Sequence, residues 1–297
     1  MARTGHTSTL ARRSDALVLG PAAHGELDRL GVQAPERLLE TRPELPAVAD
    51  LAARVAARVR GPSGMALVRA AELAPRVQRL AFAALGLAIA EPILRYGLLY
   101  AVHDRGGSYR ESAIPVSKTR AATGFHTDSS AWNCVPGVVA LLCERPSPAG
   151  GASRVTHAER ACAWLAERDP AALAQLRRSY VRDVVTPGAE RTAAALRRNR
   201  FPVVALEPDF QLRYMRYWIE KGHERAGEPL DADALRAFDA LDAALARPAW
   251  SARFRLEAGD MLFLDNRRLA HGREAYADSP GDGRLLWRLW LDERART

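Results

Sequence analysis

The chain has 297 residues, 48% hydrophobic and 26% charged, with a formal net charge of +8. That is enough apolar material for one large core, while no apolar run approaches the ~20 residues a membrane helix needs. The positive charge is spread without a long basic block or interleaved aromatics, which argues against a nucleic-acid surface; it reads first as a compositional bias toward Arg, although a positive field would also favour small anions.

Residues 1–20 carry Arg, Ser and Thr but no continuous apolar core of a signal peptide, and read as a disordered tail ahead of a single domain over 21–297. Val48, Leu51, Val55 and Val59 recur at helical spacing across 47–60, and Gly61-Pro62-Ser63-Gly64 stops that helix. Met65 to Arg69 reads as a short strand. Another helix, over 74–90, buries Leu80, Phe82, Leu85 and Leu87. Gly106-Gly107 marks a turn, and the polar stretch from there to Thr123 reads as a loop bordering the candidate site. Val135 to Cys143 is apolar on both faces, as a buried strand is, and Gly150-Gly151 turns the chain after it. Helices follow over 158–167 and 171–178, broken at Asp169-Pro170. Residues 201–206 and 210–217, rich in Val and Tyr, read as a hairpin around Glu207-Pro208-Asp209. The helix over 231–246 has Asp231 as N-cap and Leu235, Phe238, Leu241 and Leu245 as its apolar stripe. Residues 253–256 and 261–264 read as another hairpin, across Glu257-Ala258-Gly259-Asp260. Last comes 284–291, in which Leu285, Trp287, Leu289 and Leu291 face one way and Arg284, Leu286, Arg288 and Trp290 the other. Many strands, with helices at the N-terminus and in one insertion within about 158–250, predict an all-β core with flanking helices, a jelly-roll sandwich. Cys134, Cys143 and Cys162 are odd in number and scattered, which fits a reducing compartment such as the cytoplasm.

The chemistry-bearing segment is Phe125-His126-Thr127-Asp128. In an extended strand, residues two apart point to the same face, so His126 and Asp128 present an imidazole and a carboxylate side by side. His271, in Leu264-Asp265-Asn266-Arg267-Arg268-Leu269-Ala270-His271-Gly272-Arg273, would complete two histidines and one carboxylate on a single face of a metal. That set leaves the opposite face open, which suits non-haem Fe(II) oxygen chemistry. Taken singly, His126 or His271 would more simply be a core histidine bonded to backbone. His157 and His223 fall in polar segments and are expected at the surface; His103 lies in a loop near the site. Trp132, Asn133 and the stretch Arg213-Tyr214-Met215-Arg216-Tyr217-Trp218 are candidates for the substrate pocket, with a core Trp and a half-buried strand as the competing readings. There is no Gly-x-Ser-x-Gly elbow, phosphate loop or Gly-x-Gly-x-x-Gly fingerprint.

Three segments together resemble the taurine-dioxygenase-like (TauD/TfdA) superfamily of Fe(II)/2-oxoglutarate dioxygenases. They are Gly124-Phe125-His126-Thr127-Asp128-Ser129 leading into the apolar strand, Gly259-Asp260-Met261-Leu262-Phe263-Leu264-Asp265-Asn266-Arg267-Arg268 followed by His271-Gly272-Arg273, and Arg284-Leu285-Leu286-Trp287-Arg288. The Asp-Asn-Arg-Arg run ending in His-Gly-Arg is most similar to the clavaminate synthase and asparagine oxygenase branch. The resemblance implies a double-stranded β-helix, with His126, Asp128 and His271 as catalytic iron ligands. It implies Arg284 on the distal carboxylate of 2-oxoglutarate, where a planar guanidinium can make two parallel hydrogen bonds. It also implies a hydroxyl donor to that carboxylate, Ser153 or else Thr156, and Arg288 as a contact to the cosubstrate or to an anionic group of the substrate. A surface ion pair, a turn serine and a structural ion pair are the competing readings of Arg284, Ser153 and Arg288.

Asp128 stands where that branch often carries Glu. Its presence argues against halogenation, because related halogenases lose this carboxylate. The activity implied uses Fe(II), 2-oxoglutarate and O2, releases succinate and CO2, and hydroxylates a small polar, amino-acid-like metabolite, free or carrier-bound. The same ligand set would serve desaturation or cyclisation, or a dioxygenase of a sulfonate or other small anion gripped by Arg288. The non-enzymatic alternative is a jelly-roll binding protein with a vestigial pocket. The sequence leaves the oligomeric state open.

Overall fold

The computed structural model describes residues 15–31, 33–107, 109, 114–183, 189–278 and 283–292. A short strand β1 (Leu17–Val18) precedes helices α1 (Pro21–Arg29), α2 (Arg37–Thr41) and α3 (Pro46–Arg60). β1 lies parallel on β2 (Met65–Arg69), so the end of the expected tail is a sheet edge; residues 1–14 lie outside the described residues. α3 and the next helix, α4 (Pro75–Ile89), both open on proline, whose missing N–H is harmless in a first turn. Then come β3 (Glu91–Pro92), β4 (Tyr100–Val102), β5 (Thr123–His126), β6 (Val138–Arg145), β7 (Ala149–Gly150) and β8 (Ser153–His157).

A largely helical stretch follows: α5 (Ala158–Arg168), α6 (Pro170–Leu176), β9 (Ser179–Val181), α7 (Ala193–Arg198), β10 (Arg200–Pro202), β11 (Val204–Ala205), β12 (Gln211–Leu212), α8 (Arg216–Ala226) and α9 (Ala232–Leu245). Asp169 and Asp231 cap α6 and α9 by accepting the Ala172 and Ala234 N–H groups at 2.9 and 2.7 Å. The chain closes with β13 (Ser251–Phe254), β14 (Asp260–Asp265), β15 (Leu269–Arg273), β16 (Tyr276–Ala277) and β17 (Leu285–Asp292).

Two sheets carry the core. The larger runs β1-β2-β14-β6-β17-β3, with β4 also on β17; the smaller runs β13-β8-β15-β5. On one face of the larger sheet, Val55, Phe82 and Leu85 of α3 and α4 pack with Ala140, Phe263 and Leu289. On its other face, Leu67, Leu262 and Leu286 meet Val155 and Leu269 of the smaller sheet. The far side of the smaller sheet, at Phe125 and Ala270, lies under Leu165, Leu176, Phe238 and Leu241 of the helical stretch. The result is a mixed α/β molecule whose β core has helices on both outer faces. β17 follows the alternation of its sequence, with Leu289 and Leu291 in the helix-covered core and Leu286 in the core between the sheets.

Three local expectations change. Residues 210–217 are not one strand: only β12 pairs with β11, and α8 begins at Arg216. Its guanidinium pairs with Glu220 one turn on, and with Asp239 and Asp242 of α9, which outweighs the β preference of the tyrosines. Residues 253–256 and 261–264 do not form a hairpin. β13 pairs with β8 in the smaller sheet, and β14 pairs with β2 and β6 in the larger. The crossing is made at Gly259, with φ of +81°, where a Cβ would come within 2.6 Å of Ala71 Cα. In α9, Leu235 is 38% exposed and Ala234 faces the core instead. Among the described residues no helix is long and apolar enough to cross a membrane. Cys134, Cys143 and Cys162 are free.

Candidate metal centre

His126 ends β5 and His271 lies in the middle of β15. The antiparallel register pairs the two directly, so ladder geometry sets the rings side by side, with centroids 4.5 Å apart. Asp128 Oδ1 lies 3.9 Å from His126 Nε2 and 3.8 Å from His271 Nε2. One donor atom from each of the three residues lies within 4.8 Å of the others. The expectation that His126 and Asp128 share one strand needs correction. β5 stops at His126, and the chain is carried out of the sheet by hydrogen bonds of the Thr127 N–H to the Tyr214 carbonyl and of the Asp128 N–H to Asn266 Oδ1. The carboxylate still swings back beside the imidazole.

The local chemistry prepares all three donors for a cation. His126 Nδ1 lies 3.0 Å from the Gly124 carbonyl. A carbonyl only accepts, so Nδ1 carries the proton and the Nε2 lone pair faces the cluster. Burial pushes the His126 imidazole below its ordinary value, and pushes His271 down to about 3 with help from the neighbouring His126. Burial would raise Asp128, yet Arg288, the two histidines and the Trp290 hydrogen bond outweigh it and hold the carboxyl at about 2. At neutral pH the set is two neutral imidazoles and one carboxylate, the protonation state metal ligation needs.

Asp128 is held from several sides. Asn266 accepts its N–H at 2.8 Å and donates to its carbonyl at 3.1 Å, and also donates to the Pro136 carbonyl at 3.0 Å. On the side chain, Arg288 Nη1 and Trp290 Nε1 donate to Oδ2 at 3.1 and 2.8 Å. Arg288 is thus committed to the carboxylate of the candidate ligand set. Sequence alone gives no role to Asn266 or Trp290, although Asn266 lies within a motif that carries the resemblance and Trp290 stands two residues beyond another.

One cavity joins this cluster to Arg284 and Ser153. Arg284 is buried, which pulls its guanidinium below the ordinary value, and its Nη1 has no hydrogen-bond partner among the described residues. A buried guanidinium with an unfilled donor is a ready anion receptor. Ser153 opens β8 after the Gly150-Gly151 turn, in which a Cβ on Gly150 would come within 2.3 Å of the Ala275 carbonyl oxygen. Thr156 is outside the lining; its hydroxyl donates to the Leu245 carbonyl at 2.8 Å. Arg273, a lining residue to which its motif assigns no role, donates to the Thr119 and Ala121 carbonyls at 2.7 and 2.6 Å. Iron with a dicarboxylate keto acid fits this arrangement: nitrogen and oxygen donors at one end, an unsatisfied guanidinium at the other.

The rim is aromatic. Tyr96, Tyr100, Trp132 and Trp218 line it, together with Val116 and Ser117 of the expected bordering loop; residues 108 and 110–113 of that loop lie outside the described residues. Of the substrate-pocket candidates, Trp132, Met215 and Trp218 reach the cavity, whereas Asn133 does not and Tyr214 is fully buried. His157 and His223 are not at the surface. His157 is buried at the end of β8, where it pairs with Leu269 of β15, and His223 Nε2 accepts the Val181 N–H at 3.0 Å while Nδ1 meets the Glu228 carbonyl at 2.7 Å. His103 Nδ1 bonds the Asp104 carbonyl at 3.0 Å and is not in the lining.

Comparison with known proteins agrees with this geometry. The model of the taurine catabolism dioxygenase TauD, TfdA family matches residues 42–290. A uridine-5'-phosphate dioxygenase of Streptomyces sp is 33% identical over 197 residues, 63% of this chain and 66% of that protein, just under two thirds of its length. A uridine-5'-phosphate dioxygenase of Amycolatopsis sp is 29% identical over 258 residues, 78% of this chain and 86% of that protein. Among solved structures, an asparagine oxygenase in complex with Fe(II), 2S,3S-3-hydroxyasparagine and succinate superposes with a TM-score of 0.69 at 17% identity, covering 94% of this chain and 93% of that one. The non-heme iron oxygenase OrfP in complex with Fe, succinate and (3S)-hydroxy-L-Arg gives 0.69 at 18% identity, covering 95% and 96%. At that identity the superpositions speak for a common fold.

Proposed function

The chain belongs to the TauD, TfdA family of dioxygenases, and from that membership we propose that it hydroxylates an unactivated C–H bond of a small polar metabolite, using Fe(II), 2-oxoglutarate and O2. The observation that carries the reading is the convergence of His126, Asp128 and His271 in one cavity with Arg284, whose Nη1 is unfilled. In this reading the three residues hold iron and are the catalytic residues. Arg284 takes the distal carboxylate of 2-oxoglutarate, with Ser153 as the hydroxyl beside it. Iron and 2-oxoglutarate, when bound, supply the oxidising power at the expense of one O2, with succinate and CO2 released. The protein's part is to keep both imidazoles neutral and Asp128 charged, to orient the keto acid, and to shield the reacting bond behind aromatic walls. The scaffold is proposed to be a double-stranded β-helix in a single domain over 21–297, with the helical stretch within 158–250 as an insertion. A cytoplasmic setting, suggested by three free cysteines, is part of the same proposal.

For the substrate, one observation argues against a free ammonium group. The cavity lining contains Arg273, Arg284 and Arg288 against two carboxylates, Asp128 and Asp183. Asp128 is reserved for the metal. Asp183 is paired with Arg191 at 2.9 and 2.7 Å and with Arg225 at 3.2 Å. Among the described lining residues no uncommitted carboxylate remains to receive an ammonium. We therefore place small polar metabolites without an ammonium group, such as phosphates and sulfonates, ahead of free amino acids. The names of the two curated relatives add uridine-5'-phosphate as a first candidate, and the amino-acid-like reading rests on the structural neighbours. A panel of nucleoside monophosphates, sulfonates, and neutral and basic amino acids tests this, read by iron-dependent succinate release and by product mass. A gain of one oxygen supports hydroxylation, and a loss of two hydrogens would redirect the proposal to desaturation or cyclisation. No succinate with any class, in a protein that binds neither metal nor 2-oxoglutarate, would leave the vestigial pocket.

A further inference from the structure

We infer that Arg288 and Trp290 are positioning residues that compel Asp128 to bind its metal through one oxygen only. The inference rests on the metal-site reading above. A carboxylate oxygen has two lone-pair directions in its plane. Arg288 Nη1 and Trp290 Nε1 occupy Oδ2 together, at 3.1 and 2.8 Å, so a cation finds no free lone pair there. Oδ1 is the atom turned toward the imidazoles, at 3.9 and 3.8 Å. Neither donor is free to swing away. The Arg288 guanidinium sits over the Tyr100 ring at 4.7 Å and over the Trp290 ring at 4.3 Å, and the Trp290 ring meets Tyr96 edge-on at 5.5 Å.

Both residues stand two apart on β17, and the leucines that alternate with them are locked under α4. The carboxylate is therefore aimed by the larger sheet, while its backbone is fixed by Asn266 from the β14–β15 turn. A carboxylate free to bind through both oxygens would take a coordination position that a chelating keto acid needs. The two donors also draw electron density from Asp128 and weaken it as a base. This gives Arg288 a purpose other than gripping a substrate anion.

The test reads metal binding without turnover. The full chain, stripped of metal, is titrated with Mn(II) by EPR of the free ion, and with Co(II) by its visible absorption, which reports coordination number. Trp290→Phe keeps the ring and removes the donor. By freeing Oδ2 as a second and more basic donor, it is expected to tighten Mn(II) binding about tenfold, the lower end of the size of outer-shell effects, and to shift the Co(II) band toward a higher coordination number, while the metal-free melting temperature stays near that of the parent. Arg288→Lys, which keeps the charge and shortens the reach, is expected to move both readouts in the same direction and serves alone if Trp290→Phe does not fold. His271→Ala separates the two levels. If it binds Mn(II) as the parent does, the metal site itself is wrong. If it abolishes binding while Trp290→Phe and Arg288→Lys match the parent in affinity and spectrum, the metal site stands and this inference is overturned.

Discussion

The floor and the rim of the cavity are built on different principles. On the floor, His126 and His271 face each other across a strand ladder. Asp128 is fixed by Asn266, Arg288 and Trp290, and the strands beneath are sealed by packed side chains from both sheets. The rim residues Tyr96, Trp132, Met215 and Trp218 come from turns and from the start of α8; Tyr96 meets Trp132 at 6.1 Å, and the Trp132 carbonyl accepts from Arg213. A ladder specifies position to a fraction of an ångström but admits few alternatives, whereas a rim of turns can be rewritten without disturbing it. In the proposed function, reaction type belongs to the first region and substrate choice to the other.

That division can be broken or sharpened experimentally. The largest effect is expected on the floor: His271→Ala should abolish both Mn(II) binding and iron-dependent succinate release, measured by titration and by mass spectrometry. Next is the packing behind the floor. Phe263→Ala removes a fully buried ring between the larger sheet and α4, and should cost about 3–5 kcal/mol in denaturant unfolding with little change in metal affinity of the folded fraction. Arg284→Met should raise the 2-oxoglutarate requirement roughly 10- to 100-fold, since a charged hydrogen bond contributes ~1.5–3 kcal/mol, and leave Mn(II) affinity intact. Trp218→Ala on the rim should raise the substrate KM about tenfold, the scale of an aromatic contact plus its burial, while metal and 2-oxoglutarate binding stay unchanged. If it weakens metal binding as well, floor and rim are not separable.

The packing beneath the cavity should also show a pH slope. Burial, with Arg160 and Arg268 nearby, pushes His157 down to about 4 from 6.5. The folded state holds the neutral ring, so the unfolded chain takes up the proton first. The stability is therefore present above pH ~6.5 and lost as pH falls toward 4. The melting temperature of the metal-free protein should decline across that window, and His157→Leu should make the decline shallower.

The same contrast marks what is legible in the sequence. α3, α4, β2, β6 and β17 follow their periodicity closely because each buries a face that its own residues define. The residues His126, Asp128, His271, Arg284 and Ser153 can be named together because their motifs are contiguous, and the fold brings them to one cavity. What stays hidden depends on partners remote in sequence. Nothing local says that Thr156 is bonded to Leu245, or that the polar surroundings of His157 and His223 fold inward. Nor does β13 announce that its neighbour is β8 and not β14. Trp290 reads as one more apolar position in an alternating strand, since an indole N–H reveals its use only when a carboxylate lies opposite it.

β17 has a practical consequence for anyone reshaping this protein. Its leucines and its cavity-facing arginines and Trp290 interleave with a period of two, so an inserted or deleted residue would drive guanidiniums beneath α4 and push aliphatic side chains into the reaction chamber. Libraries aimed at new substrates should hold this strand at fixed length and vary side chains such as Trp132 and Trp218, leaving in place the backbone around Tyr214 that carries Thr127.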